Sequence, residues 1–210
     1  MLRWIACYAG LAIILCVGRP CEAGPHSFSV QADVLSMVST QLEIGDPKPT
    51  GHSSLGAALA ISYALTPVLG IRGSYDIAAS EFSYSNPFSR GATQSRHWDL
   101  AVCAVMLVAS SRTIAVELAA GPTYGEHTSR ANPLGIEVRG PSSKQVGAIF
   151  RADFVFARAS AVSPVVSVEG SAYGASATDE TTGSSYWWSG GGLSVGIGVR
   201  WGGSDALGRD

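Results

Sequence analysis

The chain has 210 residues with 14 basic and 16 acidic side chains, which gives a formal net charge of −2. This near balance excludes the strongly basic surface that nucleic-acid binding requires. Charged residues make up only 14% of the chain, against about 25% in ordinary soluble domains, so we expect a large part of the surface to avoid water.

The N-terminal segment Met1–Ala23 predicts a cleavable signal peptide. Arg3 precedes the apolar run Trp4–Val17, and Cys21 and Ala23 place small residues where signal peptidase acts, with cleavage after Ala23. The run is too short to span a bilayer well as a helix. We therefore expect a signal peptide over 1–23, one domain over 24–201 and a short tail over 202–210.

Cleavage of the signal would leave Cys103 as the one cysteine of the mature chain, because Cys7, Cys16 and Cys21 lie within the signal. The mature chain could then form no internal disulfide. Its fold would depend on backbone hydrogen bonds and packing.

The segment 24–201 alternates apolar residues with small or polar ones, which is the pattern of a strand with one apolar face. In the final stretch, one parity holds Leu193, Val195, Ile197, Val199 and Trp201, and the other holds Ser194, Gly196, Gly198 and Arg200. The same alternation predicts eight strands, at about Ser27–Leu42, Ser54–Leu65, Leu69–Ile77, His97–Val108, Ile114–Tyr124, Val146–Phe156, Val166–Tyr173 and Leu193–Trp201.

Short and long connections alternate along these strands. The predicted short turns are Thr66-Pro67, Ser110–Arg112 and Ala159–Pro164, and the predicted long loops are Gly45–Gly51, Ser80–Thr93, Ser129–Ser143 and Thr178–Ser185. Outer-membrane barrels have short turns at the periplasmic rim and longer loops at the outer rim. Both chain termini would then lie on the periplasmic side.

The longest apolar run after the signal, Leu100–Ala109, has ten residues; this is too short for a spanning helix but fits a spanning strand of about 9–11 residues. Strands satisfy every backbone polar group in lipid only when they close into a barrel. We therefore predict an all-β protein, an eight-stranded antiparallel up-and-down transmembrane β-barrel. The alternative is a soluble barrel of the lipocalin kind, but the non-apolar face here is mostly Ser, Gly and Ala rather than long charged side chains.

An eight-stranded barrel has room for side chains inside but not for an open channel. Charges facing lipid are costly, so we expect the strand charges to face the lumen: Asp33, Arg72, Asp76, Glu117, Arg151, Asp153 and Glu169. We hypothesise that Arg151 bridges Glu117 and Glu169 and closes the lumen with an ionic network. The alternative for the same residues is a narrow, low-conductance pore.

Aromatic residues are predicted to form two interfacial belts. Tyr75, Trp98, Tyr124, Trp187 and Trp188 would lie near the loop rim, and Phe28, Tyr63, Phe156 and Trp201 near the turn rim.

The signal at Met1–Ala23, the eight alternating strands and the closing strand Leu193–Trp201 resemble the small eight-stranded outer-membrane barrels of the OmpA transmembrane domain and OmpX. The resemblance implies a monomer in the outer membrane of a Gram-negative bacterium, surrounded by outer-membrane lipid and lipopolysaccharide and inserted by the barrel assembly machinery. It implies a structural or surface-interaction role, in which the loops bind an external ligand. The chain departs from that family by continuing past Trp201, the aromatic at which those barrels usually end.

A lipid A-modifying enzyme is a further alternative. His127-Thr128-Ser129 resembles the His-x-Ser-Asn motif of the lipid A deacylases related to PagL, but Arg130 stands where those enzymes have asparagine. A loop histidine is more often a solvated surface residue. No three ligands occur at metal-binding spacing, so we predict neither a catalytic site nor a cofactor.

Overall fold

The computed structural model describes residues 26–43, 50–85, 90–111, 113–131, 138–139, 143–157, 160–178, 183 and 185–202. The predicted signal peptide with its cleavage point at Ala23 and the predicted tail beyond Gly202 lie outside these residues. Among the described residues, no helix is long and apolar enough to cross a membrane.

The described chain is built from β-strands of 14 to 21 residues and one two-residue strand. They are β1 (Phe28–Glu43), β2 (Thr50–Ala64), β3 (Leu69–Ser85), β4 (Arg90–Ser110), β5 (Ile114–Ala131), the short β6 (Val138–Arg139), β7 (Ser143–Phe156), β8 (Val162–Thr178) and β9 (Ser185–Gly202). Strand β6 pairs with the outer end of β5. The eight long strands form the barrel.

Each long strand pairs antiparallel with the next one along the chain, and β1 pairs with β9, which closes the sheet. The predicted up-and-down barrel is thereby confirmed. Following the Cα partners from Ala32 leads through Leu59, Tyr75, Leu100, Tyr124, Val146, Gly174 and Ser189 to Leu42, ten residues further along β1. A stagger of this kind tilts the strands, and with eight strands it leaves an interior that side chains can fill.

The barrel wall is inverted relative to that of a soluble protein. Ile197 is 71% exposed and Val102 is 63% exposed on the outside, whereas Arg72 inside is 1% exposed. In water this wall would destabilise the fold, because exposed apolar surface has an unfavourable hydration free energy. In a bilayer, apolar side chains are required on the outside of the barrel. The outward apolar face therefore argues against the soluble-barrel alternative.

Several strands, among them β2, β3, β4, β5 and β9, extend further toward the loop rim than predicted, so part of the predicted loops is wrong. The segment Ser80–Thr93 was expected to be a loop, yet β3 and β4 stay paired from Ser80 opposite Ser95 to Ser85 opposite Arg90. Three other strands are longer in the same way: β2 starts at Thr50, β5 ends at Ala131 and β9 starts at Ser185. Beyond the lipid, outward positions no longer need apolar side chains, so the alternation disappears although the backbone hydrogen bonds continue.

At the turn rim, the predicted turn Ala159–Pro164 is shorter than expected, because β8 already begins at Val162. The fourth strand, whose alternation fades toward its end, contains a β-bulge between Leu107 and Ala109. Leu107 and Val105 face inward and pack in the lumen, so both faces of this stretch are apolar. That double burial removes the alternation from the sequence.

Candidate functional site

All seven charged residues predicted for the lumen face inward and are buried, each with 6% exposure or less: Asp33, Arg72, Asp76, Glu117, Arg151, Asp153 and Glu169. Strand parity brings them to the interior because lipid accepts only apolar side chains on the other face. Six of the seven form one ionic network, and Asp76 lies outside its ion pairs.

Arg72 on β3 reaches across the lumen to β5 and β7. Its Nη2 donates to Glu117 Oε2 at 3.0 Å and its Nη1 donates to Asp153 Oδ2. Its Nε donates to Ser62 Oγ at 2.9 Å. All three nitrogens of this guanidinium therefore have partners, which a buried charge needs in order to be tolerated.

Arg200 on β9 belongs to the same network and was missed by the sequence analysis. Its Nη1 donates to Glu117 Oε1 at 2.6 Å, and its Nη2 lies 3.3 Å from Asp153 Oδ2. Gln31 Oε1 accepts from Nε at 2.9 Å and from Nη2 at 2.7 Å. The inward parity that Arg200 shares with Ser194 and Gly198 was the available signal.

Arg151 on β7 holds the other half of the network. Its Nε donates to Asp153 Oδ1 at 2.8 Å, its Nη1 to Glu169 Oε2 at 3.4 Å and its Nη2 to Asp33 Oδ2. The hypothesis that Arg151 bridges Glu117 and Glu169 is therefore wrong for Glu117, which pairs with Arg72 and Arg200 instead. The register explains the difference, because Glu117 lies opposite Asp153 and Arg151 lies opposite Ala119.

Apolar side chains fill the space around the network. Toward the turn rim, Ala115, Val155 and Val165 pack together with Leu107. A second cluster contains Ala64, Ala101, Cys103, Val105, Ala119 and Ile149, and a third contains Leu35, Ala58 and Ala78. The network and these clusters lie across the described part of the lumen and link strands on opposite sides of it, so the chemistry that this interior shows is that of holding the strands together.

Nearer the loop rim, β4 contributes a second polar group to the lumen. Asp99 Oδ1 accepts a hydrogen bond from Gln145 Nε2 at 2.6 Å, and Asp99 Oδ2 lies 4.0 Å from His97 Nε2. His97 is the Cα partner of His127 on β5. The side chain of Ser129, the serine of the deacylase-like motif, lies outside the described part of the structure.

The aromatic residues lie on the outer wall in two groups. Near the turn rim, Phe28 and Tyr63 stack with ring centroids 4.7 Å apart, and Phe156 and Trp201 lie at the same rim. Farther up the wall, the ring centroid of Trp98 lies 6.4 Å from that of Tyr75 and 6.0 Å from that of Tyr124. The side chains of Trp187 and Trp188 lie outside the described part of the structure.

No family model matches the chain, and no curated protein matches it either. Among solved structures, it is similar to the attachment invasion locus protein Ail of Yersinia pestis in complex with the heparin analogue sucrose octasulfate, with a TM-score of 0.50 and 14% identity over 84% of this chain and 99% of that one. It is also similar to the outer membrane protein OprG of Pseudomonas aeruginosa, with a TM-score of 0.54 and 9% identity over 86% of this chain and 97% of that one.

At these identities the similarity concerns the fold. The closed antiparallel register, the apolar outer wall and the filled interior agree with it. The chain therefore has the fold of the small eight-stranded outer-membrane β-barrels.

Proposed function

We propose that this protein is an outer-membrane barrel that acts through the outer ends of its strands and loops, not through its lumen. The filled lumen carries this proposal, because three arginines and their carboxylates join strands across the interior. Outer-membrane lipid and lipopolysaccharide would surround the wall, and the barrel assembly machinery would insert it. The start of β1 and the end of β9 lie at the rim of the short turns, so both would face the periplasm.

The alternative of a narrow pore makes the opposite prediction for ion conduction. We expect the folded barrel to give no discrete conductance steps in a planar bilayer, because among the described residues buried apolar clusters and the paired charges of the network lie across the lumen. Steps from the wild-type protein that change with the salt gradient would favour the pore over our proposal.

The strand register at the outer rim supports a proposal about the class of ligand. Arg130 on β5 is the Cα partner of Arg139 on β6, and Arg96 on β4 is the partner of Thr128, two residues before Arg130. In the strand register these three positions are neighbours at the outer ends of β4, β5 and β6, and diagonal positions in a sheet are about 7–8 Å apart. Like charges at directly opposite positions repel each other, and an anion bound between Arg130 and Arg139 would offset that repulsion. We infer that this rim binds a polyanion, a class to which the sucrose octasulfate bound by Ail belongs.

Sucrose octasulfate is the probe that tests this inference. We expect the purified barrel in detergent to bind it, with an affinity that falls as salt is raised. The double variant Arg130→Gln/Arg139→Gln should bind about tenfold more weakly or worse, since a hydrogen bond to a charged group is worth about 1.5–3 kcal/mol.

Lys144→Gln is the matched control, because Lys144 also lies near the loop rim but is the Cα partner of Glu126. Isothermal titration calorimetry measures the affinity for sucrose octasulfate of the wild type, the double variant and the control. If the double variant bound as tightly as the control, the arginine rim would not be the binding surface.

A further inference from the structure

Asp76 on β3 is a buried carboxylate outside the ionic network. Its side chain is 3% exposed. Its Oδ2 accepts a hydrogen bond from Ser74 Oγ at 3.4 Å, and its Oδ1 is buried without a hydrogen-bond partner among the described residues. An unsatisfied buried polar atom is costly and calls for an explanation, of which a bound ion is one.

The lumen also has an imbalance of charge. Among the described inward residues, five buried carboxylates face three buried guanidinium groups: Asp33, Asp76, Glu117, Asp153 and Glu169 against Arg72, Arg151 and Arg200. Asp76 lies within electrostatic reach of the carboxylates of Glu169, Asp99 and Asp33, with Arg151 as the cation that acts on it. Arg151 already contacts three other carboxylates. The formal charge of these eight side chains is therefore −2.

Asp99 on β4 adds a further carboxylate at the same height. Asp76 and Asp99 are Cα partners on neighbouring strands, and both belong to the inward parity. Side chains directly opposite each other in an antiparallel pair have their Cβ atoms about 4.5–5.5 Å apart. The side chain of Asp99 keeps 21% exposure, whereas Asp76 is 3% exposed, so an ion would enter along Asp99.

We propose that Asp76 and Asp99 bind one divalent cation, with Ca²⁺ as the best match. Ca²⁺ takes carboxylate and water oxygens in irregular geometry, and Asp76 Oδ1, which has no hydrogen-bond partner among the described residues, is free to bind it. Ser74 Oγ, which donates to Asp76 Oδ2 at 3.4 Å, lies beside that oxygen, and Gln145 Nε2, which donates to Asp99 Oδ1 at 2.6 Å, positions the second carboxylate. Among the described residues, no three His, Cys, Asp or Glu side chains converge on a metal position, so water completes the shell. The affinity expected for so few charged ligands is that of extracellular modules, roughly 10⁻⁴–10⁻³ M.

The site is tested by unfolding the barrel in detergent with urea, in millimolar Ca²⁺ and in excess chelator, with tryptophan fluorescence as the readout. The wild type should have a higher unfolding midpoint with Ca²⁺, because a ligand that binds only the folded state stabilises it. Asp76→Asn should lose this difference and should be at least as stable as the wild type in chelator, since the change removes a buried carboxyl group that has no arginine partner among the described residues. Asp33→Asn, which alters a carboxylate paired with Arg151, should be less stable but should retain the calcium difference.

Calcium titration by calorimetry gives a second measurement that does not need the Asp76 variant to fold. The wild type should show saturable binding, and Asp99→Asn should bind at least about tenfold more weakly. The proposal is overturned if the wild type has the same midpoint in Ca²⁺ and in chelator, or if the calcium-dependent part survives both substitutions, which would assign it to other acidic residues.

Discussion

Arg151→Ala is expected to destabilise the folded barrel by about 3–5 kcal/mol, because removing one partner of a buried ion pair leaves the others uncompensated. Three carboxylates lose their contact at once: Asp33, Asp153 and Glu169. Asp153 keeps Arg72 and Arg200, whereas Asp33 and Glu169 lose the one arginine that contacts them in the described structure. The loss is large against a total stability of about 5–15 kcal/mol.

The first measurement is the urea-unfolding midpoint of the barrel in detergent, monitored by tryptophan fluorescence. The second is the temperature at which the folded band disappears on a gel. Lys144→Ala is the matched control, since Lys144 is a cation on the same strand with an exposed side chain, and we expect a change within about 0.5 kcal/mol. Arg151→Lys should recover only part of the stability, because an ammonium group cannot make the three-way forked contact of a guanidinium. An Arg151→Ala barrel as stable as wild type would mean that the network does not hold the strands together.

The sequence predicts the number of strands, their order and their inward face because lipid allows little else. Every outward position at membrane depth must be apolar, so the alternation in the segments around Ile61 and Ile197 is visible without any alignment. Outside the lipid this constraint ends. The strand ends near Thr50, Ser85 and Ser185 were therefore not predictable from alternation, since they depend on hydrogen bonds between backbones.

Six members of the ionic network could be predicted, but Arg200 and the pairing of the charges could not. Parity places Arg151, Glu117 and Glu169 inside, whereas the choice of partner depends on the stagger between strands, which alternation does not specify. A stagger of ten residues around the barrel brings Arg200 at the end of β9 to the height of Gln31 and Glu117. Arg200 was missed because it is next to Trp201, a predicted rim residue.

The second large effect is expected at the seam that closes the barrel. Gly198 on β9 is the Cα partner of Asp33 on β1, and a Cβ added to Gly198 would collide with the backbone oxygen of Ala32 and with Asp33 Oδ1, and would lie 2.9 Å from Asp33 Cα. The backbone oxygen cannot move without separating the two strands. Asp33 cannot rotate away without breaking its contacts with Arg151 and Gln31.

Gly198→Ala should therefore cost at least the upper part of the range of about 1–3 kcal/mol typical of overpacking, although only one methyl group is added. Gly170→Ala on the adjacent strand β8 is the matched control, because a Cβ there would meet nothing within 4 Å. This control should be neutral or stabilised by up to about 1 kcal/mol, since alanine restricts the unfolded chain more than glycine does.

Both variants are compared by their urea-unfolding midpoints and by the fraction that migrates as the folded band on unheated gels. We expect a smaller folded fraction and a lower midpoint for Gly198→Ala alone. Adding Asp33→Ala to Gly198→Ala should recover little, because the backbone collision with Ala32 remains and Arg151 loses a partner. Equal stability of the Gly198 and Gly170 variants would show that β1 and β9 approach each other less closely than this register requires, and the closure of the barrel would then need a different pairing.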